Sequence, residues 1–151
     1  MISGLDHVVL VCSSIDEGEA VYSTLLGRGP DWRSSDPGGA ATVIFQLENT
    51  ALELMAPSGG GPLSRRLHAM IDHEGIGLKS LVFACDQLEE ARAVLGRRAL
   101  KPDDISAGES VDPYSARDRK WSRMRLDETA THGVRIFMLN RHKPDPLSYT
   151  P

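Results

Sequence analysis

The stretch LDHVVLVCSSIDEGEAVYSTLLG, residues 5–27, has a weak second copy later in the chain. An offset of 73 residues lays it without a gap over LKSLVFACDQLEEARAVLGRRAL, residues 78–100. Few residues are identical, but each copy has an apolar run of strand length, a polar cap and an amphipathic segment of helical period. Ser14 and Asp86 are the predicted caps, because both residue types accept hydrogen bonds from a helix N-terminus. The sequence therefore predicts two modules that each begin with a strand and a helix.

The residues after each predicted helix complete the modules. In the first module, ATVIFQL and ALELMAP flank a short polar turn suited to a hairpin, and residues 28–35 are a candidate for one more strand. In the second module, the predicted strands are KWSRMRL and VRIFMLN, joined by a longer loop over 127–133. Between the modules, Pro62 and the apolar spacing after it predict a connecting helix. We expect a single domain with module one at about 4–57, the connecting helix at about 58–76, module two at about 77–142 and an exposed tail at 143–151.

Composition excludes several classes of protein. The chain has 151 residues, enough for one domain with a core of its own. Its net charge of −4 gives it no general attraction for nucleic acid, so we expect no nucleic-acid partner. With no leader-like segment and no apolar run of bilayer-spanning length, a cytoplasmic protein with no membrane partner is expected. Cys12 and Cys85 are predicted to be reduced thiols at strand ends.

The duplicated βαβββ halves, the first opening on LDHVVLVCSSIDEGEAVYSTLLG and closing on ALELMAP, resemble the vicinal oxygen chelate superfamily over roughly 4–142. That superfamily includes glyoxalase I, extradiol dioxygenases and bleomycin-resistance proteins, and the resemblance is closest to members described only as glyoxalase-like. It implies an α+β fold in which two paired βαβββ modules form a concave, cleft-lining mixed sheet covered by helices. It also implies a small-molecule ligand and a homodimer, which is common among relatives. The scaffold hosts several chemistries, so the resemblance does not fix the reaction.

The resemblance also concerns a metal site. Members with a complete site place four metal positions on the first and last strands of the two halves, and two of these match His7 and Glu53. The offset of 73 carries His7 onto Ser80, and aligning LEL with IFM carries Glu53 onto Phe137. A catalytic transition metal needs at least three protein ligands, while serine is a poor ligand and phenylalanine is none. We therefore predict no metal cofactor and an incomplete remnant of the site at His7 and Glu53, although His132 could in principle substitute.

Alternation along the predicted strands separates an apolar face, suited to covering by helices, from a face that would line the cleft. Beside His7 and Glu53, this second face carries the candidate ligand-binding residues Gln46, Ser80, Trp121, Arg123, Arg125, Arg135 and Phe137. Guanidinium groups bind carboxylate or phosphate through paired hydrogen bonds, and an indole can cover a planar part of a ligand. The expected ligand is a small anionic metabolite. The alternative, that the arginines lie at a solvated rim, stays open.

Several functions remain compatible with these residues. A carboxylate beside an imidazole can hold its tautomer, act as a base or satisfy it structurally. The leading hypothesis is a lyase or isomerase acting next to a carbonyl, with Glu53 or His7 as base and an arginine stabilising enolate-like charge. Glyoxalase I activity is disfavoured because half of the ligands are missing. One alternative is a non-catalytic binding or sequestering protein similar to bleomycin-resistance proteins, and another is a metal-dependent lyase or dioxygenase with a non-standard ligand set.

Overall fold

The fold is one mixed sheet of eight strands with three helices. The structure, a computed structural model, describes residues 1–147. In chain order the elements are β1 (Ile2–Val11), α1 (Ile15–Leu26), β2 (Trp32–Asp36), β3 (Ala40–Gln46), β4 (Ala51–Pro57), α2 (Pro62–Glu74), β5 (Gly77–Cys85), α3 (Leu88–Arg97), β6 (Ser106–Asp112), β7 (Arg117–Arg125) and β8 (Arg135–Arg141). Both modules have the βαβββ order that the resemblance implies, and α2 connects them.

The two modules join within one chain, edge to edge. The strand order is β2-β3-β4-β1-β5-β8-β7-β6, with β1 and β5 antiparallel at the centre. The pairs β1–β4 and β5–β8 are parallel, as the crossover through a helix requires. Val8 pairs with Leu81, which is the residue that corresponds to Val8 in the second copy of the repeat, 73 positions later. A pseudo-twofold axis therefore passes through this pair and relates the two copies.

The outer strands β2 and β6 approach each other, so that the sheet curves into a nearly closed barrel. Trp32 Nε1 donates a hydrogen bond of 3.0 Å to Ser110 Oγ across the gap. A second bond of 3.2 Å runs from Arg117 Nη2 to the carbonyl oxygen of Asp31. Trp32 is fully buried at this junction. The concave face of the sheet is consequently an interior rather than an open trough.

The helices cover the barrel as the apolar face predicts. Beneath α1 lie Val43, Phe45, Leu54, Leu10 and Leu52. Cys85, Met124 and Met138 pack with Leu88 and Ala91 of α3. By contrast, α2 packs against Val11, Ala40 and Met55, which face inward, so that it closes one end of the barrel. Among residues 1–147, no helix is long and apolar enough to cross a membrane.

In module two, one strand was missed and one predicted helix cap was wrong. The strand β6 was not predicted, because its sequence SAGESVD is almost entirely polar and lacks the alternation that marks a half-buried strand. The predicted cap at Asp86 was also wrong, since Gln87 occupies the N-cap of α3 and makes no side-chain cap hydrogen bond. The predicted cap of α1 is present, with Ser14 Oγ accepting a hydrogen bond of 3.3 Å from the Glu17 amide.

In the predicted exposed tail over 143–151, Lys143 and Pro144 are exposed, but Asp145 and Leu147 contradict the expectation. Leu147 is buried in an interior cluster with Trp32, Ile44 and Ala51, and the Asp145 side chain is almost fully buried. The segment 143–147 thus covers the end of the barrel opposite α2. Residues 148–151 of the predicted tail lie outside the described residues. The sequence indicated exposure through polarity and proline, but it could not show that a buried arginine is available to pair with Asp145.

Candidate functional site

The centre of the candidate site is a contact between His7 and Glu53. Strands β1 and β4 are adjacent and parallel, and Glu53 stands opposite Val9, one inward-facing position from His7. His7 Nε2 lies 2.8 Å from Glu53 Oε2, and His7 is only 7% exposed. The structure therefore brings together the two residues that the sequence predicts as neighbours.

Asp6 joins them through an irregularity in β1. The pairing with β5 shifts register between Leu5 and His7, which is a β-bulge. At a bulge two successive side chains can turn to the same side of the sheet, and Asp6 Oδ1 lies 2.7 Å from His7 Nδ1. Both ring nitrogens of His7 therefore contact a carboxylate.

The electrostatics of this cluster favour its ionised form. Burial works to lower the pKa of His7, but the Glu53 and Asp6 carboxylates outweigh it and raise that pKa above the ordinary 6.5. Burial works to raise the pKa of Glu53, but His7 outweighs it and lowers that pKa below the ordinary 4.5. For Asp6, hydrogen bonds from His7 and Arg141 likewise overcome burial and hold the pKa well below its usual range. An imidazolium between two carboxylates is the favoured state.

Two further ion pairs lie beside the cluster. Arg141 contacts Asp6 through Nε at 3.1 Å and Nη2 at 2.8 Å. Arg119 contacts Asp145 through Nε at 2.7 Å and Nη2 at 2.9 Å, and both side chains are nearly fully buried. Both arginines contribute to the lowered pKa of Glu53, which indicates that their charges act on the central pair. A cavity of about 240 Å³ opens at this end of the barrel and is lined by Asp6, Arg119, Arg141, Asp145, Gln46 and Leu147.

The predicted arginine cluster is divided in the structure. Arg125 and Arg135 both contact Glu128, and Arg135 also donates to Glu74 Oε1 at 2.7 Å. Arg123 and Arg125 each lie 5.5 Å above the ring of Phe137. Within the described part of the chain, Arg123 is the inner-face arginine without a carboxylate partner. These three arginines therefore contact Glu128, Glu74 or Phe137, and Arg123 is exposed.

The remaining predicted ligand residues lie on the inner face with different surroundings. The Gln46 amide donates to the carbonyl oxygens of Leu47 and Thr50 and so fastens the turn between β3 and β4. Trp121 is half-buried beneath the Arg141 guanidinium, 5.8 Å from the ring centre. Ser80 is buried, between Val9 and Arg135 in the strand register.

The metal positions implied by the superfamily do not fit the residues present. Val9 pairs with Glu53 while its repeat equivalent Val82 pairs with Phe137, so the register bears out the equivalence of Glu53 and Phe137. Phe137 has no donor atom, and both His7 nitrogens already contact carboxylates. No group of three or more His, Cys, Asp and Glu side chains in residues 1–147 is arranged to hold a metal ion.

Sequence reasoning missed Asp6, Arg119, Arg141 and Asp145. Arg119 and Arg141 could have been predicted from the alternation along their strands. Arg119 stands two residues before Trp121, and Arg141 continues the alternation to the end of β8, so both would have been placed inward. Asp6 could not have been predicted, since alternation assigns it to the outer face and only the bulge turns it inward. No signal in the sequence marked Asp145.

Comparison with known proteins agrees with this architecture. The family model of the glyoxalase-like domain matches residues 5–150. A hypothetical protein from Bacillus halodurans C-125 superimposes with a TM-score of 0.75 at 16% identity, over 93% of this chain and 96% of that chain. Methylmalonyl-CoA epimerase from Mycobacterium tuberculosis gives a TM-score of 0.73 at 17% identity, over 93% and 89%. A Streptomyces coelicolor methylmalonyl-CoA epimerase variant in complex with 2-nitronate-propionyl-CoA gives 0.72 at 13%, over 93% and 98%. No curated protein matches the chain.

Proposed function

The chain belongs to the glyoxalase-like domain family of the vicinal oxygen chelate superfamily, and from that premise we propose that it is a lyase or isomerase acting on a small anionic metabolite. The reaction is proton transfer at a carbon next to a carbonyl, and it uses no metal ion. The observation that carries the proposal is the buried contact between His7 Nε2 and Glu53 Oε2, at 2.8 Å. The structural neighbours add support for the reaction class, since several are epimerases, which are isomerases.

The ionisation of the pair supports a separate role for each residue. Glu53, whose pKa is lowered, remains a carboxylate and accepts the proton from carbon. His7, whose pKa is raised, carries a proton and donates it to the product, while Asp6 fixes the ring through Nδ1. The enolate-like charge that develops on the substrate oxygen is stabilised by an arginine. Arg119 and Arg141 are the arginines whose charges reach Glu53.

Hydrogen–deuterium exchange tests the proposal directly. The protein is incubated in D₂O with a panel of 2-oxo and 2-hydroxy acids, and deuterium incorporation next to the carbonyl is followed by NMR. The Glu53→Gln variant should lose about a hundredfold or more of the exchange rate, the usual contribution of a general base. Glu48→Gln, on the exposed turn before β4, is the matched control and should exchange like the wild type.

A non-catalytic binding protein is the second candidate, and the ion pairing of the cluster favours it. A buried imidazolium between two carboxylates is a stable arrangement that resists giving up its proton. This function predicts that a ligand from the panel binds equally well to wild type and Glu53→Gln, with no exchange in either. Exchange that depends on Glu53 would exclude it.

A further inference from the structure

We propose that Arg119 is a carboxylate-binding subsite, and that Asp145 occupies it as an internal competitor which the carboxylate of a ligand displaces. The inference rests on the proposed function only in taking the barrel interior as the ligand site. Beyond the proposed function, the inference specifies the ligand as a short carboxylate with an apolar portion. It also identifies the contact between Arg119 and Asp145 as one that competes with ligand binding.

The contact has the geometry that a bound ligand would have. Arg119 presents Nε and Nη2 to the two oxygens of one carboxylate, at 2.7 and 2.9 Å. This paired arrangement is how a guanidinium recognises a carboxylate specifically. The side chain of Arg119 is 4% exposed and that of Asp145 is 6% exposed. The pair also lies beside the candidate chemistry, because Arg119 and Asp145 line the same cavity as Asp6, which contacts His7.

The origin of Asp145 distinguishes this pair from the other ion pairs of the inner face. Arg141 is paired with Asp6, which is part of β1, while Arg135 is paired with Glu74 at the end of α2. Asp145 instead belongs to the segment 143–147, which follows β8 and contains no helix or strand. Such a segment can leave the barrel without unpairing any strand of the sheet.

The same segment fills an apolar seat. Leu147 packs against Trp32, Ile44 and Ala51 inside the barrel. Arg119 lies 5.8 Å from the ring centre of Trp32, against which Leu147 packs, so Asp145 and Leu147 present a carboxylate and a branched aliphatic group to adjacent parts of the interior. A short branched-chain carboxylate offers the same two groups in one molecule. The charge balance also favours exchange, since a buried guanidinium that loses one carboxylate is compensated by another.

Isovalerate and its neutral analogue isovaleramide are suitable probes, with affinity measured by calorimetry on the full chain. Asp145→Asn removes the charge that competes with isovalerate for Arg119. The variant should bind isovalerate roughly tenfold tighter than the wild type does, because a larger fraction of the protein is in the state that can bind. Isovaleramide should show no such gain. Arg119→Gln should abolish isovalerate binding. The matched control is Asp104→Asn, which breaks the exposed pair with Arg92 and should bind like the wild type.

If Asp145→Asn fails to fold, Leu147→Ala tests the same proposal. This substitution loosens the segment 143–147 without leaving a charge unpaired, so the variant should also bind isovalerate tighter than the wild type does. A folded Asp145→Asn or Leu147→Ala protein that binds no tighter would overturn the inference, as would binding that survives Arg119→Gln. The outcome is separate from the proposed function. Isovalerate should still bind to Glu53→Gln, because Arg119 is intact there, whereas deuterium exchange depends on Glu53.

Discussion

At the scale of the residue, the interior is a balanced set of charges. The cations are His7, Arg119 and Arg141, and the carboxylates are Asp6, Glu53 and Asp145. Burying an ion is costly unless a counter-ion compensates it, so these six groups can share the interior only as partners. Neutralising one of them leaves its partner as an uncompensated buried charge. The stability of the fold and the protonation of the site are consequently linked.

The pH dependence of stability follows from the shifted pKa values. Because the pKa of His7 is raised in the folded state, its contribution is complete below pH 6.5 and is lost as the pH rises through the folded value. Because the pKa of Glu53 is lowered, its contribution is present above pH 4.5 and is lost as the pH falls through the folded value. The free energy of unfolding, measured by urea titration at a series of pH values, should therefore fall on both sides of this interval. NMR titration should find the pKa of His7 above 6.5 in the wild type and lower in Glu53→Gln.

Two variants separate this contribution from other titrating groups. In the wild type, stability should decrease above pH 6.5. This decrease should be absent from His7→Gln and present in His68→Gln, whose substitution is at an exposed position of α2. A wild-type protein whose stability is constant as His7 deprotonates would contradict the raised pKa.

Metal content is a second prediction at this scale. Since Phe137 provides no donor and both nitrogens of His7 contact carboxylates, the purified protein should contain no stoichiometric zinc, iron, manganese or nickel. Elemental analysis by mass spectrometry checks this. A stoichiometric metal that disappears in His7→Ala would show that the interior rearranges to form a metal site.

At the scale of the element, the sequence predicted most of the sheet and half of the site. The repeat predicted the strand and helix that begin each module, and alternation placed His7 and Glu53 on one face, where they contact each other. Of the predicted arginines, Arg123 is exposed. Alternation failed where local geometry departs from the period. The bulge turns Asp6 inward, and β6 is held by its pairing with β7 rather than by an apolar pattern of its own.

A substitution at Gly108 tests how closely β6 approaches β7. It stands opposite Trp121 in the strand register, and a Cβ there would lie 2.3 Å from Trp121 Nε1. Gly108→Ala should therefore displace the indole and destabilise the fold by about 1–3 kcal/mol, the usual cost of overpacking. Urea unfolding gives the magnitude, and tryptophan fluorescence reports the displaced ring.

The control is Gly96→Ala in α3, where an added Cβ meets nothing within 4 Å. This substitution restricts the unfolded chain and should stabilise the protein by about 0.4–1 kcal/mol. Equal effects of the two substitutions would show that Gly108 does not mark a close approach.

At the scale of the whole molecule, α2 closes one end of the barrel, the segment 143–147 covers part of the other end beside the cavity, and β2 and β6 close the side. No pattern within either module predicts this, because the hydrogen bond from Trp32 to Ser110 joins residues 78 positions apart. The closure also buries the charged groups of the interior, and burial strengthens the attractions between them.

Ser110→Ala tests the closure. It leaves the buried N–H group of Trp32 without its acceptor, which should cost about 1–3 kcal/mol of unfolding free energy. Ser106→Ala, at an exposed position of the same strand, is the matched control and should have little effect. If the two variants are equally stable in urea, the contact between β2 and β6 does not hold the barrel closed.

The approach of β2 to β6 also bears on self-association. The outermost strands of an open sheet expose unpaired peptide groups, and such strands are the usual templates for aggregation and for dimers that extend a sheet from one subunit into another. Here each outer strand shields the other, through Trp32 and Ser110. A homodimer of this chain should therefore assemble through side chains on its outer surface, and it should form without a sheet that continues between subunits.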